Sequence, residues 1–153
     1  MPNKKQAEVK ETPEYHNTYL LLKKYRDVVW NLELSVQRVR NKFRIEMGSS
    51  IEDFLESAYM AGVDFSASGL TEYTKSIEES RQMLRLIESA VEMLRYKHKN
   101  GEMFYRILYY AFLSPQQYKN AGEIIEQLLP HISDISYRTY YRKRRDAISS
   151  LSC

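Results

Sequence analysis

The chain has 153 residues, 43% of them hydrophobic, and 23 Lys and Arg against 20 Asp and Glu give a formal charge of +3. That length holds one ordinary domain, or a small domain with a long helical arm. Five Gly and four Pro are too few for the frequent turns of an all-β chain, and the single cysteine, Cys153, leaves no internal disulfide and no thiolate zinc site.

The first segment, MPNKKQAEVKETPEY, is charged and has no apolar core of signal-peptide length, and nowhere do about eighteen apolar residues run together. The expectation is an all-α cytoplasmic protein, with residues 1–12 a disordered polar tail and no membrane partner. Charge is unevenly distributed. Residues 1–46 carry 10 cations and 6 acids, residues 47–97 carry 5 and 9, and residues 98–153 carry 8 and 5.

Leu22, Tyr25, Val29, Leu32, Val36, Val39 and Phe43 recur at alternating steps of three and four. Such a seam predicts one amphipathic helix over about 13–47, ended by Gly48. Trp30, Tyr19 and Tyr25 on that helix read as core, with a stacking platform for single strands as the alternative. Ser50 then caps a short helix over 50–61, with Asp53 placed to reach back as in a capping box, and Gly62 closes it.

A second seam, Leu70, Tyr73, Ile77, Ser80, Leu84, Ile87, Val91 and Leu94, predicts a helix over about 69–99. Asn100-Gly101 ends it, glycine accepting the left-handed conformation after a helix C-terminus. Two such helices suit an antiparallel hairpin or half of a dimeric coiled coil, so residues 13–100 read as a long-helix arm.

Residues 101–153 are built from shorter pieces. Glu102 to Leu113 is an apolar, aromatic helix stopped by Ser114-Pro115. Asn120-Ala121-Gly122-Glu123 is an N-cap with Glu at the third helical position, leading into a helix that Pro130 stops. Ser136 caps the last helix, YRTYYRKRRDAISSL.

On that last helix Tyr140, Arg144, Ala147, Ile148 and Leu151 form the stripe that faces the core. The other side presents Tyr137, Arg138, Thr139, Tyr141, Arg142 and Arg145, with Lys143 flanking, and Ser136 to Arg145 holds five cations and no acid. Arginine suits base recognition because its planar fork gives two parallel hydrogen bonds to guanine or grips a phosphate. Near a C-terminus a basic face often just complements the helix dipole. Here Arg138, Arg142 and Lys143 lie in the first half of the helix, where the dipole disfavours them. That placement points to an outside partner with negative charge.

The run from Gly101 to Ser152 resembles the C-terminal region of the ArpU/RinA-type regulators of phages and mobile elements. The pieces that match are a glycine followed by an aromatic-rich helix, a short EII helix, and the pattern IS..TYYR.R..AI..LS from Ile135 to Ser152. The resemblance implies a helix-turn-helix similar to region four of sigma factors. It further implies a long helical hairpin or coiled-coil arm before a three-helix DNA-binding domain, a role in transcription regulation, and no enzymatic activity or cofactor. Partners would be double-stranded DNA, RNA polymerase and a second copy of the chain paired through the long helices. The sequence departs from these relatives in stopping at Cys153 and in a longer connection from Leu129 to Ile135.

Other constellations are weaker. His16, His98 and His131 share no helical spacing and read as surface residues rather than metal ligands. Glu52, Asp53 and Glu56 cluster without a His or Ser partner and fit capping and dipole roles. The basic end of the first helix, Arg38, Arg40, Lys42 and Arg44, is either a solvated face or a backbone contact. Two other functions compete with the regulator: a phage structural or packaging protein that assembles into a ring, and an adaptor whose basic helix binds an acidic protein groove.

Overall fold

The computed structural model describes residues 12–48, 50–62 and 69–152. The tail 1–11 and Cys153 lie outside the described residues, as do the side chains of Leu70 and Tyr73 in the second seam. Regular structure among the described residues is all helical: α1 Pro13–Met47, α2 Ile51–Met60, α3 Gly69–Lys97, α4 Gly101–Leu108, α5 Ala121–Leu128 and α6 Tyr137–Leu151, with α4 continuing into a π-helical turn, Tyr109–Leu113. None of these helices is long and apolar enough to cross a membrane.

The seams behave as their spacing requires. On α1, Leu22, Tyr25 and Phe43 are buried and the valines and Leu32 between them half-buried; on α3, Leu84, Ile87, Val91 and Leu94 are buried. A fully buried aliphatic side chain of this kind contributes roughly 1.5–3 kcal/mol. Trp30 departs from the expectation of a core residue. It is 61% exposed, because it follows the seam residue Val29 by one position and so points about 100° away around the helix.

Packing divides the chain into two units, one of the residues up to Arg26 with Arg85–Cys153, the other Asp27–Leu84. In the second unit the Ser50 hydroxyl accepts from the Asp53 N–H at 3.2 Å, the expected cap of α2. Arg40 pairs with Glu52 at 2.8 Å, so one of the four cations at the end of α1 is neutralised. Val28, Leu32 and Ile77, with Asn31 and three serines, line a cleft of about 190 Å³.

The first unit holds the densest core. Ile107 and Leu108 of α4, Leu128 of α5 and Tyr140, Ala147 and Ile148 of α6 are each fully inaccessible. Ile107, Ile125, Leu128, Ile135 and Tyr140 form one apolar cluster. Tyr25 of α1 donates its hydroxyl to Glu88 of α3 at 2.6 Å, and burial together with that carboxylate pushes its ionisation well above the ordinary tyrosine range.

Gly48 and Gly62 end α1 and α2 with φ of +72° and +73°. Gly101 does not adopt the left-handed conformation expected of it; it opens α4, and a Cβ there would strike the backbone carbonyl oxygens of Leu94 and Arg95. Glycine is needed at this position for close approach. His98 likewise departs from a plain surface role. It is half-buried, its ring lies 4.9 Å from that of Phe104, and its Nδ1 accepts from the Asn100 N–H at 3.0 Å.

The helix expected to stop at Ser114-Pro115 does stop there, with Ser114 extended at ψ 144°, as a residue before proline must be. Its last turn is π-helical, the Ser114 N–H donating five residues back to the Tyr109 carbonyl at 2.7 Å. Arg26 of α1 closes this end. Its Nε donates to the Ser114 carbonyl at 2.8 Å, Nη1 to Ala111 at 3.1 Å and Nη2 to Tyr110 at 3.2 Å. Burial makes the Arg26 proton easier to lose than usual.

At the junction of α3 and α4, Arg95 donates to both carboxylate oxygens of Glu102, at 2.7 and 3.2 Å. That bond holds the Glu102 carboxyl below the ordinary glutamate range.

Two outcomes follow from these contacts. Arg26→Ala strands carbonyls that had charged donors, and removing such bonds costs about 2–3 kcal/mol, a fall in Tm of roughly 5–10 °C; Arg26→Lys recovers only part of it, since one ammonium lacks the planar fork. Glu102 ionises more readily folded than unfolded, so its contribution is full above the ordinary glutamate range and is lost as pH falls through the lower folded value. Glu102→Gln is expected to melt below the wild type at neutral pH and to converge with it in acid, measured by circular dichroism across that range.

Candidate nucleic-acid interface

Helices α5 and α6 are both defined by their caps. The Asn120 side chain accepts from the Glu123 N–H at 3.0 Å, and the Glu123 carboxylate reaches back to the Lys119 N–H at 2.7 Å. Ser136 accepts from the Thr139 N–H at 3.2 Å, which starts α6 where the sequence places it. Between them Ile132 is half-buried and Ile135 buried against the cluster described above. Asp134 turns the chain with φ of 57°, a left-handed conformation that Asp tolerates better than most residues.

The core stripe of α6 is Tyr140, Ala147 and Ile148, all fully buried, with Arg144 and Leu151 half-buried at its edge. The opposite side is exposed. Arg138, Arg142 and Arg145 are exposed, as are Tyr137 at 60% and Tyr141 at 44%. Spacings of three and four residues gather Arg138, Tyr141, Arg142 and Arg145 into one stripe. Among the described residues none of these arginines has a carboxylate within 4.0 Å. Lys143 is half-buried on the flank beside Asp146, also without an ion-pair partner there.

Two of the expected site residues have structural contacts as well. Thr139 is half-buried, and its hydroxyl accepts from that of Ser136 at 3.0 Å, which ties it to the cap. Tyr137 extends over the start of α5, where a Cβ on Gly122 would come within 2.5 Å of its hydroxyl oxygen. Glycine at 122 therefore leaves room for Tyr137.

Arg144 has an environment that sequence spacing does not reveal. Its guanidinium lies 5.0 Å from the Tyr141 ring centre and 5.8 Å from those of Tyr19, Phe112 and Tyr140. Tyr19 comes from α1 and meets Phe112 edge to face at 6.0 Å. Cation–π attraction of this kind contributes on the order of 0.5–2 kcal/mol. Lys23, one turn further along α1, places its ammonium 5.3 Å from the Tyr19 ring centre. Near the end of α6 the Ser152 hydroxyl donates to Thr18 at 3.0 Å, which fixes α1 beside it.

The Tyr140 hydroxyl is buried without a hydrogen-bond partner. Burial raises its ionisation, opposed by the charge of Arg144 and by that guanidinium as a donor beside it, whose geometry falls short of a hydrogen bond. Among the described residues no group of three His, Cys, Asp or Glu is placed to hold a metal ion. Compared with protein-family models, with curated proteins and with solved structures, the chain has no match.

An unpartnered buried hydroxyl is a net burden, whereas the ring beneath it fills the core. Tyr140→Phe is expected to keep or slightly raise the Tm, while Tyr140→Ala lowers stability by about 3–5 kcal/mol. Chemical denaturation of the two variants checks this; a clear loss for the phenylalanine variant would mean the hydroxyl is paired in solution.

Proposed function

We propose that this chain is a sequence-specific DNA-binding transcription regulator of the phage, prophage or mobile-element kind, with α5 and α6 as a helix-turn-helix and α6 lying in the major groove. The observation that carries the reading is the exposed stripe Arg138, Tyr141, Arg142 and Arg145, three cations without an acid partner among the described residues. One of them, Arg138, stands in the first turn of a capped helix, where the dipole opposes it. Duplex DNA supplies both the missing negative charge and, on guanine edges, acceptors spaced for a guanidinium fork.

The resemblance of residues 101–152 to the ArpU/RinA-type regulators supports the same reading. It carries no catalytic step and needs no cofactor. RNA polymerase is the natural second partner for such a regulator. A dimer would double the base contacts through effective concentration, and Leu86, Met93 and Tyr96, exposed along α3 at 69%, 64% and 73%, offer an apolar stripe for pairing.

Selection of bound duplexes from a random pool at two salt concentrations tests the proposal. An enriched motif that survives the higher salt supports it, and a palindromic motif supports the dimer. Binding without any motif, lost steeply with salt, would leave phosphate attraction alone and favour the assembly protein or the adaptor. Within an enriched site, Arg138→Ala and Arg142→Ala are expected to weaken the preferred duplex by about 5- to 150-fold, as loss of a bidentate base contact of about 1–3 kcal/mol does. Random duplexes should lose much less, and fluorescence anisotropy on both reads the difference.

A further inference from the structure

Around α6, at about 100° per residue, the exposed stripe is bordered on its Tyr141 side by Arg144. Beyond Arg144 the surface passes to α1. The links are short: Tyr141 to Arg144 is 5.0 Å, Arg144 to the Tyr19 ring 5.8 Å, and Tyr19 to the Lys23 ammonium 5.3 Å. Lys23 is exposed, and neither it nor Arg144 has a carboxylate within 4.0 Å among the described residues. The Ser152 to Thr18 bond and the Tyr19 to Phe112 contact hold this part of α1 in place. The cationic surface therefore continues from α6 onto a different element, far away in sequence.

The width of that surface decides what Lys23 can meet. A major groove is about 12 Å across. A cation carried on α1, linked to the recognition stripe only through Tyr141, Arg144 and Tyr19, stands apart from the side chains that face the base edges and is left to the backbone that borders the groove. A lysine ammonium is a compact point charge suited to a phosphate, not to the two-pronged reading of a base.

We propose that Lys23 of α1, carried on the Tyr19–Arg144–Tyr141 cluster, binds a backbone phosphate of the duplex strand beside the groove that α6 occupies. This rests on the DNA-binding reading above and extends it to a residue outside the last three helices. Lys23 positions the protein on the duplex without reading sequence.

The experiment compares full-length wild type, Lys23→Gln, Lys24→Gln and Arg138→Ala for binding to the selected duplex and to a random one over a salt series. Lys24 is the adjacent exposed cation, so its variant makes the same change in charge without removing the contact with Tyr19. Lys23→Gln is expected to weaken both duplexes about equally, by roughly 3- to 10-fold, and to lower the slope of log K against log salt by about one. Lys24→Gln should change either much less. An unchanged Lys23→Gln, or equal losses from Lys23→Gln and Lys24→Gln, would overturn the contact, while an intact preference that Arg138→Ala abolishes would show that α6 still reads DNA. Wild type with no preference between the duplexes defeats the underlying reading instead.

Discussion

One guanidinium joins the start of the chain to its last third. The π-helical turn after α4 ends at Ser114, where Pro115 has no N–H to continue the ladder. Carbonyls of Tyr110, Ala111 and Ser114 at this end all accept from Arg26, at 2.8 to 3.2 Å. A buried carbonyl without a donor is costly, and three separate side chains would otherwise be needed to satisfy them. The planar fork does so at once. The charge is disfavoured by its burial, and the bonds to three carbonyls offset that. Docking α1 here is also what brings Tyr19 to Phe112 and hence to Arg144.

Six arginines of the first unit divide by what surrounds them. Arg26 is held by carbonyls, Arg95 by Glu102 and by the Tyr105 ring at 4.3 Å, and Arg144 by four rings. Each of these is at least partly withdrawn from solvent. Arg138, Arg142 and Arg145 have no such arrangement and stand in water. Cations that serve packing acquire local partners, because an unpaired charge in a low-dielectric setting is unfavourable. Cations left exposed on one stripe keep their donors for something outside the chain. The same helix thus carries both kinds, with Arg144 directly beside Arg145 in sequence.

Local signals at α5 and α6 agree with the packing beneath them. Asn120 and Ser136 close the helix starts, and the residues that follow at helical spacing, Ile125 and Leu128 on α5 and Tyr140, Ala147 and Ile148 on α6, are the ones buried. Agreement between cap and stripe fixes the rotation of α6, which decides which residues face out. A start displaced by one residue would swing the outward face by about 100°.

The sequence by itself determined the helices, the caps of α2, α5 and α6, the buried positions of the two seams that the structure describes, and the outward stripe of α6. Each depends on neighbours within about one turn, through bonds to the chain's own backbone and through helical periodicity. Only the tertiary structure decided where those helices meet. Arg26 with Ser114 and Ser152 with Thr18 are pairs 88 and 134 residues apart, and no local pattern marks one member for the other. The steric need for Gly101 was illegible as well: the carbonyls of Leu94 and Arg95 come close to it only in the turn that joins α3 to α4. Trp30 shows the reverse. Its bulk suggests a core, yet one position off the seam leaves it in solvent, because periodicity outweighs residue type in choosing which side of a helix is buried.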